Sequence, residues 1–439
     1  MGGALTMQDV TRKIIVSPEI NTPEPFVGFG GFCGWPKVCR LRNGDLYVVF
    51  CAGYWHASFV NPDPHGFPGQ AAYMAQAFES GDTWHAPTGG HIMWTRSSDQ
   101  GATWTRPRDL CVLPHAYAPG DVTQASDGTL YMAALVQKGW FRARRIREWF
   151  AGRGAPPSPL DYLRTMDGYL PEEVAVFRSE DNGESWAEAG RTSGPFRFTM
   201  EHPNAMVESR DGALFLHLSG TALPPGMGEP DRSGQLMALV RSRDRGRTWD
   251  TWSTFGDAER DMNEAHVARL PDGRLGTGSR PWSLWTMSDD EGKTWSDPRP
   301  LFDLANVQRI NAMKKGDLLT TPDGMTVMVT CGIPGGNGQV LYSRDSGETW
   351  VLPQPDRGFT ADEFAYYPSA CTLEDGSIFM VGDHQGFPNC YGPYGAEVIA
   401  TRFRIRSADE GDGVEILPIS GTLHDVSLTD ADRHRRGVS

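Results

Sequence analysis

Tyr367, Glu264 and Arg280 are among the residues of this sequence that carry reactive groups at a repeated distance from a turn. Tyr367 and Glu264 each stand eight residues ahead of an Asp-Gly pair, and Arg280 stands eight residues after the pair that follows Glu264. A phenol, with a pKa near ~10, is a weak nucleophile at neutral pH unless a neighbouring base takes its proton as it attacks. A carboxylate within hydrogen-bond reach can do so. An Arg fork beside the pair can hold an anionic group.

Equal offsets from a turn have meaning only if the turns repeat, and they do. Six pairs occur, at Asn43-Gly44, Asp127-Gly128, Asp211-Gly212, Asp272-Gly273, Asp323-Gly324 and Asp375-Gly376. Each joins two apolar, β-prone runs, as in the stretch from Ala205 to Leu216, which is a strong hairpin signal. Between them a phrase of the form Ser-x-Asp-x-Gly-x-Thr/Ser-Trp occurs five times, ending at Trp104, Trp186, Trp249, Trp295 and Trp350. Its Asp and Gly suit a second turn, with Thr and Trp opening the outgoing strand. Six inner hairpins alternating with five outer ones predict an all-β chain of six four-stranded units, a six-bladed β-propeller.

The sixth unit lacks the phrase. Its outer strands are expected from Ile399 to Arg404 with Gly413 to Ile419, or from an N-terminal strand, Lys13 to Ser17, closing the ring. Residues 1–439 read as one domain with a polar tail from about 430. Two spacings exceed a bare blade: Ala52 to Met93 in blade 1, and Gly139 to Glu172 in blade 2. The second holds an expected basic helix, Phe141 to Phe150. Long loops in compact repeats commonly cover binding sites.

In a propeller the innermost strand starts at one mouth of the central channel and runs to the turn at the other face. Eight residues before the turns stand Trp35, Pro119, Pro203, Glu264, Lys315 and Tyr367, with Asp121, His202, His266 and Lys314 close by. The returning strands add Arg280, Asp383 and His384, and Tyr54 and His56 just beyond blade 1. So many polar side chains at one mouth are costly unless they pair or bind something, which makes the mouth the candidate site.

Composition narrows the classes. A net charge of −14 without a long basic stretch weighs against nucleic acid and anionic membranes as partners. No apolar run reaches 18 residues, so no membrane span is expected, and the Met1 to Lys13 segment carries no secretion signal, so a chain that is cytoplasmic or has been trimmed is expected. Seven Cys without a CxxC pair argue against a disulfide framework or a zinc site, and no cofactor is expected. Cys39 and Cys371, at equal offsets in their repeats, read as small core residues.

With the repeats and rim residues in view, the chain resembles the sialidases and their Asp-box propeller relatives over essentially its whole length. Tyr367, in YPSACTLEDG, matches the family's Tyr nucleophile, and Glu264, in EAHVARLPDG, matches its Glu partner. Arg280 falls where one Arg of the family's carboxylate-binding triad stands. The pattern departs at Gly34-Trp35-Pro36, where the family has Arg-Ile-Pro, and in blade 5, where Lys314 and Lys315 stand in place of a third Arg.

The resemblance implies a retaining exo-glycoside hydrolase acting on an acidic or unusual sugar held by Arg280, Lys314 or Lys315. The family draws its acid from the first blade's long loop, where Asp63 and Asp82 lie; Asp121 and His56 are further candidates. Trp35 and Tyr54 suit stacking on a sugar face, and His202, His266 and His384 suit substrate contacts. Two alternatives stand beside this reading. One is a polysaccharide lyase or metal-assisted hydrolase, with His56, His202, His266 and His384 as ligands; the other is a non-catalytic carbohydrate-binding propeller.

Overall fold

The computed structural model describes residues 12–17, 19–24, 32–53, 91–112, 116–136, 173–196, 198–199, 206–221, 236–257, 260, 262–281, 283–301, 313–332, 338–351, 366–385, 396–411 and 413–419. They form six small antiparallel sheets arranged as the blades of a propeller. After β1 (Arg12–Val16), blade 1 comprises β2 (Phe32–Arg40), β3 (Leu46–Gly53), β4 (His91–Ser97) and β5 (Arg108–Val112). In blade 2 the inner strand is split into β6 (Ala116–Pro119) and β7 (Thr123–Gln124), followed by β8 (Leu130–Val136), β9 (Glu173–Ser179) and β10 (Ala187–Thr192).

Blade 3 is split likewise into β11 (Phe198–Thr199) and β12 (Val207–Glu208), then β13 (Leu214–Thr221), β14 (Leu236–Ser242) and β15 (Asp250–Phe255). Blade 4 runs β16 (Met262–Arg269), β17 (Leu275–Pro281), β18 (Leu284–Ser288) and β19 (Arg299–Pro300). Blade 5 has β20 (Met313–Thr320), β21 (Thr326–Gly332) and β22 (Gly338–Ser343), with one further bridge from Tyr342 to Val351.

Blade 6 comprises β23 (Tyr366–Thr372), β24 (Ile378–Gln385) and β25 (Ala396–Ile405), completed by β26 (Val414–Leu417) and by β1. Both expected closures are present, each on half of one edge. Strand β1 covers Val398 to Thr401 of β25, and β26 covers Arg402 to Ile405. A single parallel bridge, Phe32 to Ala396, then joins blade 6 to blade 1.

The core explains why 39% apolar residues suffice. Instead of one large interior there is a separate apolar layer between neighbouring blades. Val38, Val48 and Phe50 of blade 1 pack with Phe379 and Val381 of blade 6, while Tyr47 and Val49 pack with Met132 and Ala175 of blade 2. Trp285 of blade 4 likewise meets Leu341 and Trp350 of blade 5. Each blade needs only two apolar faces.

The octapeptide is the wedge in these layers. In blade 5 the Ser343 hydroxyl donates to Asp345 Oδ1 (2.7 Å), and Thr349 donates to the same carboxylate through its backbone N–H (2.9 Å) and its hydroxyl (2.6 Å). Ser346 and Gly347 both take the left-handed conformation, φ 56° and 87°, as a hairpin turn of the primed type requires. Trp350 opens the outgoing chain together with the bridged Val351. It turns under the loop against Trp285, ring centroids 5.0 Å apart. In blades 2 and 3 the outgoing strand starts one residue after the Trp, at Ala187 and Asp250, because the indole is spent on bonding the turn glycine's carbonyl.

These turns share a face with the Asp-Gly turns. Arg245 of the third octapeptide sits 2.9 Å from Asp127, and Arg274, beside the fourth Asp-Gly turn, sits 2.6 Å from Glu348. The opposite ends of the inner strands therefore form the other mouth, where the candidate residues stand. The described residues contain no helix long and apolar enough to cross a membrane. The expected blade-2 helix and most of both long insertions lie outside the described residues.

Candidate active site

The inner strands of blades 1, 4, 5 and 6 each carry a β-bulge near their start. The register slips between Gly34 and Lys37 in blade 1, Asn263 and His266 in blade 4, Met313 and Gly316 in blade 5, and Tyr366 and Ser369 in blade 6. A bulge inserts one residue and re-aims its side chain. At this point Trp35 (φ 53°), Glu264 (φ 43°) and Tyr367 (φ 53°) adopt the left-handed conformation. Large side chains rarely accept it, and such backbone strain clusters at functional sites. Trp35, Glu264 and Tyr367, each eight before its turn, are thus held at the rim by the same local device.

Within this rim Arg280 Nη1 lies 2.6 Å from Glu264 Oε1. Glu264 is on β16 and Arg280 on β17, where Arg280 pairs with Asn263, so the ion pair closes the first hairpin of blade 4. Glu264 Oε2 is buried and has no hydrogen-bond partner among the described residues. One oxygen is clamped and the other is left to accept a proton or a hydroxyl.

Tyr367 packs edge-on against Trp35, ring centroids 6.4 Å apart, and Trp35 in turn packs on Phe32 at 5.0 Å. The Trp35 backbone N–H donates to Asp383 Oδ2 at 3.4 Å. A side chain at Gly34 would have its Cβ 3.0 Å from that oxygen and closer still to the Phe32 ring. The place of the family's first Arg is filled.

Asp121 and His266 stand two residues further along, and here the structure changes the expectation. Neither is a rim residue. With Lys37, Asp317 and Ser369 they form a buried ring, every member six residues before its blade's turn. Lys37 Nζ lies 3.3 Å from Asp121 Oδ1, and the Ser369 hydroxyl donates to the same oxygen at 3.1 Å. His266 Nδ1 contacts Asp317 Oδ1 and lies 3.6 Å from Asp121 Oδ2. Asp121 is 5% exposed and held from three sides, so it is placed to brace the channel rather than to hand a proton to a leaving group. Burial opposes ionisation of Asp317, but the charge and hydrogen bond of His266, with Lys37, hold its carboxyl well below the usual range.

Asp121, His266 and Asp317 each present one ligand atom within 4.8 Å of the others, the donor set in the described residues able to hold a metal ion. Cys39 and Cys371 stay partly buried against apolar layers, and burial pushes the Cys371 thiol up to about 12, with the Asp317 charge adding to it. Both are packing residues, as their offsets predicted.

Lys37, Asp317 and Ser369 were missed in the sequence. Their signal was the offset of six that they share with Asp121 and His266. Lys314 and Lys315 lie on β20 and His384 on β24, but their side chains are outside the described residues, as are Tyr54, His56, Asp63, Asp82 and His202 altogether.

Residues 164–381 match the model of the BNR repeat-like domain. No curated protein matches significantly. Among solved structures, a protein of unknown function from Dyadobacter fermentans aligns over 90% of this chain and 98% of its own, at 17% identity and a TM-score of 0.59. The NanB sialidase of Streptococcus pneumoniae aligns over 92% and 73%, at 12% identity and 0.57. An α-L-arabinanase of Penicillium chrysogenum, solved with arabinobiose, aligns over 89% and 97%, at 16% identity and 0.52. At these identities the likeness is one of fold. The match to BNR repeats and the ring of blades agree on a six-bladed β-propeller with BNR-like repeats.

Proposed function

We propose that the chain is a retaining glycoside hydrolase in which Tyr367 is the nucleophile and Glu264 the base. The observation that carries this reading is the Glu264 carboxylate, clamped through Oε1 by Arg280 and unpartnered at the buried Oε2, on the same strained rim register as Tyr367. Glu264 takes the phenolic proton as the Tyr367 oxygen bonds to the anomeric carbon, and the leaving alcohol departs with a proton from an acid. His56 and the loop residues Asp63 and Asp82 are the candidates for that acid. Water then attacks the glycosyl-tyrosine, giving its proton to the conjugate base of that acid, while the departing phenolate takes its own proton back from Glu264. A neutral nucleophile suits an anomeric centre next to negative charge, and tyrosine is an attested exception to the two-carboxylate pattern.

Arg280 is already paired with Glu264, and Gly34 leaves no room for a first Arg. A sugar carboxylate is therefore met chiefly by Lys314 and Lys315, as point charges rather than planar forks. Trp35 and Tyr367 supply the apolar wall. The metal-assisted alternative loses support, because the one of its four histidines with a described side chain, His266, is buried in the ring.

The test is a panel of aryl glycosides covering sialosides, uronides and neutral pentosides, followed by trapping with fluorinated glycosyl donors. An adduct on Tyr367 located by mass spectrometry is expected. Sugar binding without any turnover would instead identify a non-catalytic carbohydrate-binding propeller.

A further inference from the structure

The buried ring has a donor set, a charge balance and a supporting shell that the rim chemistry does not use. Asp121, His266 and Asp317 come from blades 2, 4 and 5, and they meet because they share one offset on three converging inner strands. Their side chains are nearly sealed from water, at 7%, 7% and 3% exposure, and Lys37 is fully buried. Among the described residues two carboxylates face one lysine here, and a proton on His266 or a bound cation would balance the second carboxylate at such burial.

The outer contacts already orient the donors. Ala370 N–H donates to Asp317 Oδ2 at 2.9 Å and Leu318 N–H to Oδ1 at 2.9 Å. Lys37 and the Ser369 hydroxyl both hold Asp121 Oδ1, and Ser369 itself accepts from Val38 N–H at 3.1 Å. Asp121 Oδ2 is the oxygen that faces His266. Partners of this kind fix the direction of metal ligands and tune their strength.

We propose that Asp121, His266 and Asp317 bind a divalent transition-metal ion, of the Zn2+ or Mn2+ type, as a structural pin between blades 2, 4 and 5. One imidazole and two carboxylates suit these ions better than thiophilic ones. Lys37 stays on the oxygen turned away from the ion and weakens the site relative to one with two uncompensated carboxylates. The ion is structural because its ligands stand two residues inward of the rim and are closed over by protein. It is independent of the reaction proposed above.

The experiment uses the full chain stripped of metal with a chelator, then given ZnCl2 or MnCl2 in equilibrium dialysis and thermal unfolding. One equivalent per chain should bind, with a Tm that rises further with each tenfold excess of the ion. His266→Ala and Asp317→Asn should lose both effects, whereas His91→Ala, at the His91–Asp109 pair on β4 and β5, should keep them. No saturable equivalent in the wild type, or an unchanged response in both ring variants, overturns the proposal. Should the variants fail to fold, anomalous diffraction from zinc-soaked wild-type crystals decides. Density among the three side chains supports the site, and its absence there overturns it.

Discussion

Arg280 and Glu264 form an ion pair of 2.6 Å across the first hairpin of blade 4, and the pair leaves the second Glu264 oxygen buried and unpartnered. The arginine fixes where the carboxylate points, as a preorganised base requires. Under the proposed reaction, Glu264→Gln and Tyr367→Phe should each lower kcat by roughly 10²-fold or more, the scale of a lost proton-transfer partner. Both should keep the wild-type urea midpoint. Arg280→Lys should lose less than Arg280→Ala. Near-wild-type kcat in the Tyr367 variant would remove the nucleophile.

Gly34 gives a packing prediction. Because its Cβ would run into the Phe32 ring and approach Asp383, Gly34→Ala should destabilise the fold by about 1–3 kcal/mol, an ordinary overpacking cost. Gly34→Arg should not create sialoside turnover. Pairing Gly34→Ala with Phe32→Leu should recover part of the lost stability in chemical denaturation, since the clash is with the ring.

The octapeptide carboxylates predict an acid limb. Hydrogen bonding to the Ser185 hydroxyl pulls Asp181 down to about 2 from 3.8; at Asp244 burial opposes, but the Thr248 hydroxyl and N–H prevail and bring it to about 2. A carboxyl with a depressed native pKa gives stability that is present above the unfolded value and lost as pH falls through the native one. Urea midpoints should therefore drop between about pH 4 and pH 2. The drop should be smaller in an Asp181→Asn, Asp244→Asn double variant, which is the comparison to make.

Gly347 tests the wedge. It has φ 87°, and a Cβ would press on the Trp285 indole. Gly347→Ala should cost about 2–4 kcal/mol, combining left-handed strain with overpacking. Adding Trp285→Phe should reduce that cost in a double-mutant cycle, because the two residues touch.

Much of this was legible because turns are local. Asn43-Gly44 and its five counterparts fix both ends of each inner hairpin, so counting residues back from the turn is enough to put Trp35, Glu264 and Tyr367 on one register. The depth of Asp121 and His266 was not legible. Strict alternation would place residues from the turn by parity, but the bulge in blades 1, 4, 5 and 6 adds a residue and breaks the count between offsets eight and six. Lys37 and Asp317 escaped notice for the same reason. Ring membership depends on five strands meeting across hundreds of residues of chain, which no local pattern encodes. The closing of blade 6 was readable only as alternatives, since β1 and β26 each carry enough β character to serve.

That composite edge has a consequence for how the molecule is made. Strand β1 is synthesised ahead of every blade of the ring, and its partner β25 appears only after nearly four hundred residues have followed. Until then its apolar Ile14 and Ile15 have no resting place in the ring, and contacts of such sequence separation are slow to form. Assembly should thus proceed blade by blade while the first strand waits, exposed, for the last. Chaperone dependence and aggregation during synthesis should track strand β1, Arg12–Val16, rather than the channel rim.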